Sequence, residues 1–227
     1  FDFEMSKRLS EEGYSDEKIG RISQYSKAFS TYAFSTVTLR KNDIASAIEV
    51  FTRINTGGKV LTLFEIMSAK TYDEAAEFDM QVSWDAFQSE LSNINFENIS
   101  PTVILQLLSL KISETKECKR KTILTLDKSD ILANWDKGLS AVQSAIDYFR
   151  SVLRIPVSQL LPYDTLLVLF AYFYLTTGKA PNGHQRKYLE ELFWRSALSQ
   201  RYSSAAESKL AADIKRVDRI IAGERPA

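Results

Sequence analysis

Leu132, Trp135, Leu139, Val142, Ile146, Phe149 and Leu153 recur at alternating steps of three and four residues. That spacing lines one side of an α-helix and commits the segment to a long helix with a single apolar seam. Seams of this kind pack at about 20° against neighbouring helices, as in a bundle. The seam serves either as a core face or as a dimer contact.

The surrounding chain agrees with a bundle. Pro156 and Pro162 follow the seam, and from Tyr163 to Leu175 the sequence is apolar on nearly every side. A helix without a polar face belongs at the centre of its domain. Gly178 and Pro181 end it, and Asn182 is placed to cap a further helix that turns Leu189, Leu192, Phe193 and Ala197 inward. A last helix, Ser208 to Ile221, directs Leu210, Ile214, Val217 and Ile221 inward and Lys209, Lys215, Arg216 and Arg219 outward. Upstream, Ser100 and Pro101 open a helix with Val103, Leu107 and Leu110 on its inner face. Lys116 to Lys121 reads as a solvated helix end or loop.

The first 79 residues read differently from the rest. Phe1 to Phe29 gives one or two short helices, broken at Gly13 and capped at Ser15 or Asp16, with Ile19, Ile22, Tyr25 and Phe29 as the buried face. Residues 33–39, Ala-Phe-Ser-Thr-Val-Thr-Leu, alternate as a strand does. A lone strand cannot satisfy its own backbone groups, so it calls for partner strands from elsewhere. Asp43 to Ile54 has the spacing of a short amphipathic helix, and Thr62-Leu63-Phe64-Glu65 is a capping box opening another helix that runs to Ala76. A short helix over Asp85 to Leu91 follows, with Trp84 and Phe87 as core contacts, and then an Asn-rich connection to Ser100. The expected organisation is therefore mainly α: residues 1–79 carrying a short strand and helices, and residues 80–227 forming a helical bundle.

Composition narrows the functional classes. Lys plus Arg and Asp plus Glu both number 29, a balance that argues against the chain as a whole being a general nucleic-acid binder. One cysteine, Cys118, and one histidine, His184, provide neither a disulfide nor a cysteine- or histidine-based metal cage. His184 has no Ser, Cys or carboxylate at an informative spacing, so we assign no catalytic residue and no metal site. The apolar run from Leu166 to Leu175 is about half of the roughly 20 residues a membrane-spanning helix needs. A soluble, cytoplasmic protein is the expectation.

Chemistry is concentrated in Phe51-Thr52-Arg53-Ile54-Asn55-Thr56-Gly57-Gly58-Lys59. Glycines between two helices let a backbone or a ligand come close, and Arg53, Asn55 and Thr56 beside a helix start make a seat for an anion. An ordinary helix stop has the same letters. The string lacks the upstream Gly and the Ser or Thr after Lys59 of a phosphate-binding P-loop. Arg195 and Arg201, near a helix end and followed by Ser203 and Ser204, either contact a phosphate or pair with Glu190 or Glu191 to fix the final helix.

The string from Ile48 to Ile66 resembles the Phe-x-Arg-x-Asn-Thr-Gly-Gly-x-x-Leu-Ser-x-x-Glu-Ile signature of the domain of unknown function 262 family, with Thr62 where Ser is commoner. That family includes GmrSD-type modification-dependent restriction proteins. The stretches Leu161-Pro162-Tyr163-Asp164 and Phe193 to Ser204 resemble longer members. The resemblance implies an amino-terminal half similar to ParB and sulfiredoxin, with an Asp-Gly-Gln-Gln-Arg motif for nucleotide chemistry, and an HNH-type nuclease region at the carboxyl end. Neither that motif nor an HNH region occurs here, so the resemblance implies an inner fragment, inactive alone and without a cofactor of its own, in which residues 1–79 are the carboxyl-terminal remainder of the ParB/sulfiredoxin-like domain. The parent protein would be an NTP-dependent endonuclease acting on DNA, and Arg53, Asn55, Thr56, Gly57 and Gly58 would line part of its nucleotide or DNA-modification pocket. Its other partners would be the absent amino-terminal sheet and nuclease region, or a second copy of the chain. The alternative is a helical interaction or dimerisation module with no ligand.

Overall fold

The computed structural model describes residues 3–33 and 61–226. Ten α-helices run through these residues, and the only β feature among them is an isolated antiparallel bridge, Asp73 to Phe78. The protein is mainly α, with a helical bundle as its main body. The chain divides into two compact units, Phe1–Asp43 and Ile44–Ala227. The expected strand falls almost wholly outside the described residues, as does the helix expected over Asp43 to Ile54.

In the first unit, α1 (Phe3–Glu11) and α2 (Asp16–Ser30) pack on each other. Gly13, at φ +87°, ends α1: its N–H donates to Ser10 O, and that of Tyr14 reaches back to Leu9 O. These paired bonds satisfy carbonyls that the helix end would leave open, and the left-handed turn suits glycine. Ser15 holds the cap position of α2, but its hydroxyl makes no capping bond. The buried face expected on α2 is not buried: Ile22, Tyr25 and Phe29 are 38%, 72% and 90% exposed. Spacing shapes a helix, but burial needs a partner, and a two-helix hairpin has too little surface to cover such a face.

In the second unit, α3 (Leu63–Thr71) begins with the expected capping box. The Glu65 N–H donates to Thr62 Oγ1 at 3.1 Å, and the Thr62 N–H to Glu65 Oε2 at 2.7 Å. The helix stops at Thr71 rather than Ala76, because residues 73–78 close on themselves through the Asp73–Phe78 bridge and an Ala76 N–H bond to Asp73 Oδ1. Lys128 then ties this turn down, reaching Asp73 Oδ2 at 2.8 Å and Tyr72 O at 2.7 Å. Phe64 and Met67 of α3 enter the same core as Trp84 and Phe87 of α4 (Met80–Ser92). Helix α3, placed before residue 79 in the sequence reading, therefore packs with the bundle.

The bundle proper comprises α5 (Thr102–Ile112), the short α6 (Arg120–Thr125), α7 (Lys128–Ser151), α8 (Asp164–Thr177), α9 (Gly183–Leu198) and α10 (Ala206–Ile221). Residues 166–173 of α8 are all buried, and that helix packs against α5, α7, α9 and α10. Phe149, Phe170 and Phe193 meet edge to face, joining α7, α8 and α9. The inner side of α7 is broader than its seam. Ile131 replaces Leu132 in the core, and Gly138, Ala141 and Ala145 are buried beside Trp135, Val142 and Ile146. These small residues let α5 approach closely: a Cβ on Gly138 would stand 2.7 Å from Ile104 Cδ1. On α10 the buried residue of the last turn is Ile220 rather than Ile221, and the helix begins at Ala206 rather than Ser208. No helix among the described residues is long and apolar enough to cross a membrane.

Candidate functional site

The two groups of suspected site residues have different standing. Arg53, Asn55, Thr56, Gly57 and Gly58 lie outside the described residues. What the structure fixes is the point at which that segment meets the bundle, the capped start of α3. Lys70 holds the far end of the same helix, donating from Nζ to Leu124 O at 2.8 Å and Leu126 O at 2.7 Å. These carbonyls close α6, so one ammonium satisfies acceptors that a helix end leaves open. Burial lowers the Lys70 pKa, and Asp127 opposes that shift.

Arg195 and Arg201 come together in a recess of about 200 Å³ between α9 and α10. Helix α9 sends Tyr188, Leu192, Arg195 and Ser199 along one stripe, the three-and-four spacing that keeps side chains on one helix face. Asn182 starts this helix with a capping box: Gln185 N–H donates to Asn182 Oδ1 at 3.0 Å, and Asn182 N–H to Gln185 Oε1 at 3.1 Å. The chain then reverses through two left-handed residues, Gln200 at φ +51° and Ala205 at φ +49°. Neither is glycine, and such backbone is held only where its surroundings impose it. Between them the short helix Arg201–Ser203 turns Arg201 and Tyr202 back onto α10.

Their target is Asp213, fully buried. Its carboxylate accepts from Arg201 Nε at 2.5 Å and Nη2 at 2.9 Å, from Tyr202 Oη at 2.6 Å, and from Arg216 Nη1. A buried carboxylate survives only when its lone pairs are met in this way. The bond to Asp213 raises the Arg201 pKa. Burial first, and Asp213 second, push the Tyr202 phenol well above its ordinary value. Arg195 instead pairs along its own helix with Glu191, and its side chain is 76% exposed. Tyr188, Leu192, Ser196, Ser199 and Pro226 complete the lining.

Of the two uses foreseen for the arginines, the structure shows ion pairs, with Arg201 fixing the final helix through Asp213 rather than through Glu190 or Glu191. Glu190 accepts from Arg186 Nε and Tyr148 Oη. The sequence reading missed Asp213 and turned Arg216 outward. The signal was present: Leu210, Asp213, Ile214 and Val217 share one helix face, and an acid on an apolar face requires partners.

The other reactive groups are quieter. His184 is exposed beside the α9 cap. Cys118 is buried, and desolvation pushes its thiol up to about 12, far from the thiolate a nucleophile needs. Among the described residues no cluster of His, Cys, Asp and Glu could hold a metal ion.

Comparison with known proteins adds little. No family profile matches the chain, and no solved structure matches it. An uncharacterized protein of Methanocaldococcus jannaschii is 22% identical over 187 residues, covering 77% of this chain and 30% of the relative. The chain thus spans less than a third of the length of that relative.

Proposed function

We propose that the chain is the inner part of a DNA-targeting defence protein of the restriction type. In this reading the segment Arg53, Asn55, Thr56, Gly57 and Gly58 lines one side of a nucleotide or DNA-modification pocket, and the bundle is its scaffold. The chain is not catalytic by itself, and a nucleoside triphosphate is used by the full-length protein. Besides the signature itself, one observation carries the reading: the helix that follows the segment is anchored at both of its ends. The Thr62–Glu65 box fixes the start of α3, and Lys70 fixes its end to α6. A binding loop needs such a rigid base, because a site displaced by about 1 Å loses most of its effect. In the full-length protein, Arg53→Ala abolishes restriction of modified DNA. Normal restriction by that variant removes the assignment.

A second reading, a helical interaction module, is favoured by the exposed Ile22, Tyr25 and Phe29 of α2. An exposed apolar stripe of this kind marks a contact surface. Light scattering that shows a strict monomer at all concentrations counts against its dimeric form.

A further inference from the structure

The recess between α9 and α10 combines three guanidinium groups, a partly open hollow and a buried carboxylate that holds two of the arginines in place. We propose that it is a seat for a single phosphate-type oxyanion, contacted by Arg195 and Arg201, with Arg216 also in its lining. This inference is independent of the function proposed for the Arg53 to Gly58 segment.

Charge favours the assignment. Arg195, Arg201 and Arg216 line the recess with Glu191, and Asp213 lies behind them. Asp213 is fully buried, whereas Arg201 and Arg216 are 29% and 39% exposed, so the cations face the opening and the anion does not. The features opposing an anion are Glu191 and the carbonyl end of α9. Glu191 is already engaged by Arg195 at 2.5 Å.

Donors and shape point the same way. A guanidinium carries five N–H groups in a fixed fork that matches phosphate oxygens. Arg201 commits two of them to Asp213, and Arg195 commits one nitrogen to Glu191, which leaves N–H groups on each for a second acceptor. Asp213 holds Arg201 by two parallel bonds, so little side-chain freedom is left to lose when an anion arrives. Tyr188, Leu192 and Pro226 form an apolar wall that strengthens charge interactions beside it. Ser199 adds a hydroxyl at the rim. At about 200 Å³ the partly open recess has room for a phosphate group.

A phosphate of this kind has two sources, a free phosphate or one phosphodiester of a nucleic-acid strand. The test uses the 227-residue chain. Binding of inorganic phosphate is measured by calorimetry, and binding of a fluorescein-labelled single-stranded oligonucleotide by anisotropy at low salt. Both are repeated with Arg195→Ala and Arg195→Glu, whose melting temperatures are checked against the parent. Arg195 is largely exposed, so both variants keep the fold. The expected result is at least a fivefold loss with Arg195→Ala and no measurable binding with Arg195→Glu. If only phosphate binding responds, the source is a free phosphate; if oligonucleotide binding responds, it is a strand phosphodiester. If neither ligand's binding responds to Arg195→Glu, or neither binds, the proposal is overturned.

Discussion

The backbone N–H of Ser100 donates to Asp164 Oδ2 at 2.9 Å, joining the start of α5 to the start of α8 across 64 residues of sequence. Ser100 also caps α5, accepting from the Thr102 N–H at 3.2 Å. The two central helices therefore begin from one shared polar node. Burial raises the Asp164 pKa and the Ser100 bond only partly offsets it, so the folded state holds this proton more tightly than the unfolded chain. Such a group weakens the fold as pH rises from the ordinary carboxylate value through the raised one. Asn in its place still accepts from Ser100 and carries no charge to desolvate. Asp164→Asn should therefore be as stable as the parent or more stable at pH 7, with less loss of stability as pH rises above the ordinary carboxylate value. Urea melts at several pH values check this, and a clear destabilisation at pH 7 would contradict it.

Gly138 is the contact point of α7 with α5. Ala there gains about 1 kcal/mol of helix propensity. Its Cβ, however, would meet Ile104 Cδ1 at 2.7 Å and Leu108 Cδ2 at 3.2 Å, and both side chains are fully buried. Overpacking of this kind costs about 1–3 kcal/mol, so Gly138→Ala should lower stability by about 1 kcal/mol. Thermal unfolding decides it, and a raised Tm would show that the core yields.

Asp213 is the hub of the turn between α9 and α10. Asp213→Asn leaves Arg201 without its ion pair and Tyr202 with a weaker acceptor. Breaking a fully buried pair costs about 3–5 kcal/mol. Here both arginines keep partial contact with water, so we expect about 2–3 kcal/mol. Chemical denaturation measures the change, and a loss under about 0.5 kcal/mol would mean the cluster is not a clamp.

Local rules carried much of this fold in the sequence itself. The Thr62–Glu65 box and the Asn182 cap were legible because each depends on residues within one turn. The apolar run of α8 was legible because no surface position tolerates it. What was hidden depended on partners. The need for Gly138 follows from where α5 lies, and the choice of Ile131 over Leu132 from the packing of the whole core. The end of α3 at Thr71 follows from the closed turn over residues 73–78, which Lys128, 55 positions beyond Asp73, ties down. In the recess, Arg195 and Arg201 were visible as arginines near a helix end. Which residues answer Asp213 became evident only once α10 was laid beside α9. The apolar stripe of α2 had the right spacing and still lacks burial, because periodicity carries no information about what covers a face.

The function proposed here stands or falls with Gly57 and Gly58 contributing to a nucleotide pocket beside α3. Its most direct test is nucleoside triphosphate binding by the full-length protein, measured by calorimetry, with and without the paired change Gly57→Ala and Gly58→Ala. The account predicts at least a tenfold loss of affinity with an unchanged melting temperature. Equal affinity in the two proteins would contradict it.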